Sequence, residues 1–359
     1  MKKALIAMSG GVDSSVAAYL TLQAGYSCVG CTMKLFARPG TDPEQERRCD
    51  STRDIDDARA IADSLHFPYH VVHLEDDFVS RVVEPFVRAY ENGETPNPCI
   101  TCNRYLKFGR LLSEAQACGC DTIVTGHYAR VERKGDTYLL KKALDPTKDQ
   151  SYVLFNLTQD QLAHIRFPLG ELTKAQARRI AEEHGFSNAH KKDSQDICFI
   201  PDGDYAAFLK RYTGREYPPG DFLSASGEVL GRHKGIIHYT IGQHKGLGLV
   251  TPEPLYVGAI HPADNTITLV RNEDLFRRTV FVDSFNWVGG APPQGEIPCL
   301  AKIRYRQKEK PSVATPLPGG MVRIEFEEPE RAVTPGQAAV LYDGDTVLGG
   351  GRIVPSPEA

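Results

Sequence analysis

The sequence predicts an α/β domain built on a parallel sheet, followed by a small β-rich domain and a C-terminal β-barrel. From residue 3 to about residue 130, apolar runs alternate with segments of helical period, which is typical of parallel strands joined by right-handed crossovers. From about Pro218 onward, short β-type runs are separated by Gly and Pro. That tail is long enough for a small β module and a closed or near-closed barrel.

The elements of the α/β part follow in order along the chain. The run KALIAM predicts a buried strand, and GGVDSSVAAYLTLQAG predicts a helix that ends at Gly25. SCVGCTMKLF predicts the second strand, and IDDARAIADSLH carries its apolar residues on one helical face. PYHVVHL, DDFVSRVVEPFVRAY and DTIVTGHYARVE then predict a third strand, a helix and a fourth strand.

A later segment, LTKAQARRIAEEHGF, predicts a helix with defined ends. Thr173 and Gln176 have the spacing of a capping box, and Gly185 lies where the helix should stop. The helical pattern fades after GDYAAFLKRYTG. We therefore predict three domains, which comprise residues 1–205, 206–275 and 276–359.

Composition is ordinary for a globular enzyme, with 41% hydrophobic and 25% charged residues among 359. No apolar run approaches the length of about 18 residues that a membrane helix needs, and the N-terminal run is too short for a signal peptide. We expect a cytoplasmic protein with reduced thiols, whose nine cysteines favour metal binding or catalysis over a disulfide framework. The net charge of −4 does not indicate nucleic-acid binding, which would depend on local basic segments.

The segment AMSGGVDSS joins the first predicted strand to the first predicted helix and suits a phosphate. Its glycines allow a tight turn, and the N–H groups at the start of the helix favour an anion. Asp13 would repel a phosphate unless a cation lies between them, and Mg²⁺ is the natural choice. The candidate ATP-binding residues of the loop are Ala7, Met8, Ser9, Gly10, Gly11, Val12, Asp13 and Ser14.

The string SGGVDSS matches the SGGxDS loop of the ATP pyrophosphatase group, whose members split ATP between its α and β phosphates to adenylate a substrate. No G-x-x-x-x-G-K-[ST] motif occurs, which argues against transfer of the γ-phosphate. The loop therefore predicts adenylating chemistry without indicating the substrate.

Cys99 and Cys102 form a C-x-x-C pair in TPNPCITCN. The pair alone is compatible with a zinc knuckle, a redox couple, two ligands of an iron–sulfur cluster or a sulfur-handling site. A structural zinc usually needs four ligands, and this chain has one convincing pair. A helix N-terminus followed by cations would lower the pKa of a cysteine. The cations that follow are Arg104, Lys107 and Arg110. Cys198, in KKDSQDICFI, is the third candidate cysteine.

Eight motifs occur in order, namely SGGVDSS, TPNPCITCN followed by KF, TGHYAR, KDQSYVLF, KKDSQDICFI, GQHKGLG, RYRQ and VTPGQAAVLY. Together they resemble the tRNA-uridine 2-sulfurtransferases, the bacterial family of tRNA-specific 2-thiouridylases, from about residue 3 to residue 353. The resemblance implies a Rossmann-like ATP pyrophosphatase domain, a central tRNA-binding domain and a C-terminal β-barrel domain.

The resemblance also implies roles for individual residues. Met33 and Gly126 would lie near the adenosine of ATP, Cys102 would be the nucleophile, and Cys198 would carry a persulfide. The residues implied to lie against the target base are Asn97, Pro98 and Cys99. The implied tRNA contacts are His127, Lys148, Asp149, Gln150, Arg304, Tyr305 and Gln337. The basic and aromatic string IRYRQKEK agrees with this, because such segments track phosphates and stack on bases.

The implied reaction is 2-thiolation of the wobble uridine, U34. The C2 oxygen attacks the α-phosphate of ATP, and sulfur from Cys198 then attacks C2, directly or after its release as hydrosulfide by Cys102. A Cys102–Cys198 disulfide would have to be reduced before the next turnover. Some members carry Asp where this chain has Cys99, so the alternative is a [4Fe–4S] cluster held by Cys99, Cys102 and Cys198 with one open iron.

The implied partners are tRNAs for Lys, Glu and Gln and a persulfide donor such as a cysteine desulfurase or a relay protein. We expect a monomer that does not bind a membrane. Two other functions compete with thiolation. An argininosuccinate- or GMP-synthetase-like ligase would need neither the paired cysteines nor the basic tail, and a non-catalytic tRNA-binding protein would need neither Asp13 nor Cys102.

Overall fold

The computed structural model describes residues 2–35, 50–191 and 197–357. It contains a five-stranded parallel sheet, a four-stranded mixed sheet and a barrel, which confirms the predicted fold class. Part of the KKDSQDICFI motif, residues 192–196, lies outside the described residues.

The N-terminal sheet is parallel throughout, as predicted. The strands of this part of the chain are β1 Lys3–Ala7, β2 Ser27–Lys34, β3 Tyr69–His73, β4 Thr122–Val124, β5 Arg130–Lys134, β6 Thr137–Lys141 and β7 Ile165–Arg166. The sheet has the order β3-β2-β1-β4-β7, in which the two-residue β7 was not predicted. Leu5 and Ile6 of the central strand are both fully buried, because packed elements cover both faces of the sheet.

Helices flank this sheet and connect its strands. They are α1 Val12–Gln23, α2 Asp50–Ser64, α3 Glu75–Phe78, α4 Glu84–Glu91, α5 Pro98–Cys102, α6 Leu111–Ala117, α7 Gln159–Ala163, α8 Lys174–Glu183 and α9 Tyr205–Thr213. Two π-helical segments, Val79–Val83 and Asn103–Arg110, connect α3 to α4 and α5 to α6. The predicted capping box of α8 is present, and Gly185 follows the helix with a φ of 65°.

The prediction of one strand over DTIVTGHYARVE is wrong. β4 ends at Val124, and the chain resumes as β5, which pairs with β6 in an antiparallel hairpin. Between them, Gly126 passes so close to the SGGVDSS loop that a Cβ there would lie 2.8 Å from the carbonyl carbon of Asp13. The chain therefore leaves the parallel sheet to cross the loop, and β6 instead joins the barrel through the pair Lys141–Thr346.

The central domain packs directly against the part of the N-terminal domain that carries the cysteines. Its strands are β8 Gly220–Leu223, β9 Val229–His233, β10 Tyr256–His261 and β11 Thr266–Val270, in the sheet order β10-β11-β8-β9. Phe222 and Val257 are fully buried in a core that also contains Phe86 and Phe199, whose ring centroids lie 5.3 Å apart. The residue after Cys198 is therefore anchored in a core shared by two domains.

The C-terminal strands close into a barrel. They are β12 Phe276–Trp287, β13 Ile297–Lys302, β14 Lys310–Pro316, β15 Val322–Arg331, β16 Ala338–Asp343 and β17 Thr346–Val354. Their order is β12-β15-β14-β13-β16-β17, and β12 also pairs with β17, so the six strands close on themselves. Val282, Ile324 and Leu341 fill the interior and are fully buried. In the described ranges, every helix is too short or too polar to cross a bilayer.

Candidate active site

The loop between β1 and α1 has a backbone geometry that suits a phosphate. Gly10 has a φ of 70°, and a Cβ there would lie 2.3 Å from the carbonyl oxygen of Asp54, so this position requires glycine. Gly11 is the N-cap of α1, and no described side chain caps the helix. The N–H groups of its first turn, at the positive end of the helix dipole, are therefore suited to bind an anion.

Serine hydroxyls brace this loop from within. Ser14 Oγ donates a hydrogen bond to the carbonyl oxygen of Gly11 at 2.9 Å, and Ser15 Oγ donates to the same oxygen at 3.1 Å. The backbone N–H of Ser9 donates to Ser14 Oγ at 3.2 Å. These bonds tie the end of β1 to the first turn of α1, so the shape of the loop is preorganised by its own side chains.

Asp13 has a cationic partner within the protein. Both of its carboxylate oxygens accept hydrogen bonds from Lys174 Nζ at 2.8 Å, and Oδ1 also accepts one from the Tyr128 hydroxyl at 2.8 Å. Lys174 at the start of α8 thus supplies a cation for Asp13 in the ligand-free protein, and Mg²⁺ at this site stays a prediction. A single carboxylate that is already paired does not form a metal site by itself, and Mg²⁺ at such sites is bound largely by substrate phosphates.

A cavity of about 1350 Å³ joins the loop to two of the three candidate cysteines. Its walls include most of the loop, Cys102, Cys198 and the barrel residue Tyr305. The other predicted site residues on its walls are Met33, Gly126, His127, Lys148, Asp149 and Gln150. The cavity is large enough to hold a nucleoside triphosphate and a nucleobase side by side.

The C-x-x-C pair occupies the short helix α5, whose N-cap is Asn97. Asn97 Oδ1 accepts a hydrogen bond from the backbone N–H of Cys99 at 3.2 Å. The side chain of Cys102 is buried, whereas those of Cys99 and Cys198 are exposed. All three thiols nevertheless lie close enough to interact electrostatically, because Cys102 and Cys99 both raise the pKa of Cys198. The structure thus brings the three candidate cysteines together from segments about a hundred residues apart in sequence.

The expectation of a lowered cysteine pKa is wrong. Burial raises the pKa of Cys102, and the many protein atoms around Cys99 desolvate its thiol and raise its pKa although part of the residue reaches the surface. The cation of Lys107 offsets only part of this effect. Burial, together with Cys102 and Cys99, raises the pKa of Cys198 to about 12, although its side chain reaches the surface. The loss of hydration outweighs one helix terminus and one cation, so these thiols are protonated at neutral pH in the free protein.

His127 lies inside the protein, in contact with the same cavity. Its ring packs between Phe108 and Phe167, and each ring centroid is 5.8 Å from that of the imidazole. Nδ1 lies 2.7 Å from Thr125 Oγ1, and Nε2 lies 3.5 Å from Lys107 Nζ. Burial and the neighbouring Lys107 hold the pKa of His127 well below its usual range, so the imidazole is neutral.

A second cavity, of about 420 Å³, lies beside the C-x-x-C loop. Asn97 and Pro98 line one side of it and Gln337 of the barrel lines the other. Gln337 Nε2 donates a hydrogen bond to the carbonyl oxygen of Thr95 at 2.8 Å, and the N–H of Thr95 donates to the carbonyl oxygen of Pro335 at 2.9 Å. The TPGQ turn of the barrel therefore fixes the loop that leads into α5.

Several predicted tRNA contacts take part in internal hydrogen bonds. Asp149 Oδ2 accepts a hydrogen bond from Ser151 Oγ at 2.8 Å, and Gln150 Oε1 accepts one from the backbone N–H of Tyr128 at 2.9 Å. Arg304 donates to two backbone carbonyl groups of the barrel and is not among the described residues that line either cavity. Asp149 and Gln150 therefore brace the wall of the large cavity, whereas Arg304 braces the barrel.

Sequence reasoning missed Lys174 and Tyr128, which complete the surroundings of Asp13. Lys174 lies 161 positions from Asp13, and the periodicity of its helix says nothing about that contact. One local signal was present. A cation in the first turn of a helix opposes the helix dipole, so Lys174 directly after its N-cap Thr173 is a residue that needs a compensating anion.

Three family models match successive parts of the chain. Residues 2–202 match the model described as tRNA methyl transferase HUP domain, residues 206–271 the tRNA methyl transferase PRC-barrel domain, and residues 277–353 the aminomethyltransferase beta-barrel domain. The matches follow the order of the parallel sheet, the central sheet and the barrel.

Curated relatives match over nearly the whole length. A protein from Clostridium botulinum, named tRNA-specific 2-thiouridylase MnmA, is 45% identical over 98% of this chain and 98% of its own. A protein of the same name from Moorella thermoacetica is 46% identical over 97% of this chain and 98% of its own. Among solved structures, a U34-tRNA thiolase NcsA from Methanococcus maripaludis with its [4Fe-4S] cluster is 17% identical, with a TM-score of 0.36 over 59% of this chain and 67% of that one.

Proposed function

Because this chain belongs to the family of tRNA-specific 2-thiouridylases, we propose that it adenylates the C2 oxygen of uridine 34 in tRNA and then replaces that oxygen with sulfur from a persulfide on Cys198. The observation that carries the proposal is the single cavity that joins the SGGVDSS loop to Cys102 and Cys198. An adenylated base formed beside the loop would not have to move far to meet the sulfur.

The first stage makes the C2 oxygen a good leaving group. That oxygen attacks the α-phosphorus of ATP, a bond forms between them, and the bond from the α-phosphorus to the bridging oxygen breaks so that pyrophosphate leaves. The N–H groups at the start of α1 would stabilise the charge that develops on the phosphates. Mg²⁺ bound to the ATP phosphates would add Lewis-acid stabilisation. Lys174 keeps Asp13 from repelling the nucleotide.

The second stage transfers sulfur. Cys102 Sγ attacks the Sγ atom of the Cys198 perthiolate, the persulfide S–S bond breaks, and the Cys102 proton passes to the departing terminal sulfur, which is released as hydrosulfide. Hydrosulfide adds to C2, AMP leaves with the former C2 oxygen, and loss of a proton gives the thione. The two cysteines are left as a disulfide, which a dithiol reductant returns to two thiols with two electrons and two protons. The raised thiol pKa values keep the unloaded cysteines protonated, which limits their oxidation between turnovers.

The substrate is tRNA, and we propose by family analogy the tRNAs for Lys, Glu and Gln. Uridine 34 would leave the anticodon stack to reach the large cavity. The second cavity, lined by Asn97, Pro98 and Gln337, lies beside the C-x-x-C loop and would receive part of the anticodon loop. We propose that the protein acts as a monomer in a reducing compartment and receives its persulfide from a cysteine desulfurase or a relay protein.

A second candidate mechanism rests on the convergence of all three thiols. Cys99, Cys102 and Cys198 would hold three irons of a [4Fe–4S] cluster, and the cluster would supply an open iron for hydrosulfide. Cysteine thiolates are the donor chemistry that such a cluster uses. The two mechanisms differ over Cys99, because the persulfide relay uses only Cys102 and Cys198.

The test combines tRNA, ATP and a persulfide donor and measures 2-thiouridine by retardation of the tRNA in an organomercury gel. The tRNA should be retarded after incubation with wild-type protein or with the control variant C299A, which is altered in the barrel. It should not be retarded after incubation with C102A or C198A. C198A should still release pyrophosphate in a single turnover, because adenylation precedes sulfur transfer. Unretarded tRNA after incubation with wild-type protein that releases pyrophosphate would refute thiolation.

The two mechanisms are distinguished by measuring the iron and acid-labile sulfide content of anaerobically purified protein. About four irons per chain that are lost in C99S, with loss of activity, would establish the cluster. The relay would be established if iron-free protein thiolates tRNA from a persulfide donor and the C99S substitution only slows that reaction.

A further inference from the structure

The π-helical segment Asn103–Arg110 turns Lys107 toward the cysteines. In an α-helix, neighbours on one face are three or four positions apart, so Lys107, five positions after Cys102, would point elsewhere. A π-helix bonds residue i to i+5 and brings residues five apart onto one face. Both Lys107 and Cys102 line the large cavity.

Lys107 differs from the two other cations of the same segment. The Arg104 guanidinium lies 5.2 Å from the ring centroid of the neighbouring Tyr105, and Arg110 Nε pairs with Asp77 Oδ2 at 2.9 Å on the other side of the helix. Lys107 instead borders the large cavity, and Cys102 and Cys198 border the same cavity. One ammonium group thus borders the same cavity as the two cysteines that the proposed relay uses.

His127 orients the Lys107 side chain through a hydrogen bond to its ammonium group. The neutral His127 ring accepts a hydrogen bond from Lys107 Nζ at Nε2, at 3.5 Å, which leaves the Nδ1 proton to be donated to Thr125 Oγ1 at 2.7 Å. The ring cannot turn away easily, because it is packed between Phe108 and Phe167. A protonated histidine would repel Lys107, so the burial that keeps His127 neutral also keeps the ammonium in place.

We propose that Lys107 is the binding residue for the sulfur anion, a perthiolate or hydrosulfide, as it passes from Cys198 past Cys102 to the base, and that His127 and Thr125 are its positioning residues. This role rests on the proposed sulfur transfer and adds the cation that balances the negative charge of the transferred sulfur. A sulfur anion that leaves bulk water needs a nearby cation, because an uncompensated charge is costly to bury and charge-assisted contacts offset that cost.

The experiment compares alkylation of reduced, full-length protein by iodoacetate, an anion, and iodoacetamide, its neutral analogue, with Cys102 adducts measured by mass spectrometry. The ratio of the iodoacetate rate constant to the iodoacetamide rate constant should be about tenfold lower in K107M than in the wild type, because the attraction of one nearby charge is removed. K107R should keep the wild-type ratio. R104M is the matched control, because it removes a cation from the same segment, and its ratio should equal that of the wild type.

A ratio unchanged within about twofold in K107M and K107Q would overturn the inference. ATP binding and the melting temperature, measured on the same samples, establish that these variants are folded. In the thiolation assay, K107M should lose most of the single-turnover sulfur-transfer rate while pyrophosphate release continues. If wild-type protein fails to thiolate, the proposed function fails. If it thiolates and K107M transfers sulfur as fast, only the role of Lys107 fails.

Discussion

The Lys174 ammonium lies 2.8 Å from each carboxylate oxygen of Asp13, so the acidic residue of the SGGVDSS loop is neutralised before any nucleotide arrives. The pair is largely shielded, since the Lys174 side chain is 12% exposed. A loop that binds polyphosphate can therefore carry a carboxylate without repelling its ligand. The pair connects α1 to α8, so the phosphate site depends on how two helices pack.

We expect K174M to weaken ATP binding by about tenfold, because it leaves the Asp13 carboxylate uncompensated next to the triphosphate. Excess Mg²⁺ should restore part of the affinity by taking the place of the lost cation. Calorimetric titration with ATP measures both effects. R179M, which removes an exposed cation from the same helix, is the control. Equal affinities in K174M and wild type would show that Lys174 has no part in the nucleotide site.

We expect G10A to destabilise the protein by about 3 kcal/mol, because alanine at a φ of 70° is strained and its Cβ would meet the Asp54 carbonyl oxygen at 2.3 Å. G25A is the matched control. Its φ of 81° imposes similar strain, but no heavy atom lies within 4 Å of the added Cβ, so we expect a loss of about 1 kcal/mol. Chemical denaturation measures both values. If G10A costs no more than G25A, the close approach of Asp54 is not a constraint.

We expect Q337A to slow thiolation about fivefold while ATP affinity stays within about twofold of wild type. The lost hydrogen bond to the Thr95 carbonyl, worth about 1 kcal/mol, ties the barrel to the C-x-x-C loop and lies away from the SGGVDSS loop. Single-turnover thiolation and ATP titration separate the two effects. Q294A, in an exposed loop of the barrel, should behave as wild type in both. A parallel loss of ATP affinity in Q337A would point to general unfolding instead.

We expect the stability of the wild type to fall more steeply below pH 6.5 than that of H127Q. His127 stays neutral in the fold because burial and Lys107 lower its pKa, whereas in the unfolded chain it binds a proton near pH 6.5. The unfolded state therefore gains protons as the pH falls from 6.5 toward the folded pKa, which costs the wild type about 1.4 kcal/mol per pH unit. Urea denaturation between pH 8 and pH 5 measures the difference. Parallel curves would mean that His127 titrates normally in the fold.

Much of the fold was accessible from local patterns. Alternating apolar runs and helical segments predicted the parallel sheet, and the capping box at Thr173 and Gln176 predicted the start of α8. The error came at DTIVTGHYARVE, where the apolar pattern continues but the chain leaves the sheet because Gly126 crosses the SGGVDSS loop. The domain boundaries near residues 205 and 275 stay predictions.

The sequence by itself determined the chemical groups of the site, because SGGVDSS, the C-x-x-C pair and the motif around Cys198 are short strings whose chemistry is local. Only the tertiary structure decided how those groups are charged and placed. Burial raises the thiol pKa values that the local sequence was expected to lower, and Lys174 pairs with Asp13 from a distant helix. The physical reason is that hydration and electrostatic pairing depend on distance in space, and the partners of Asp13 lie more than a hundred positions away in sequence.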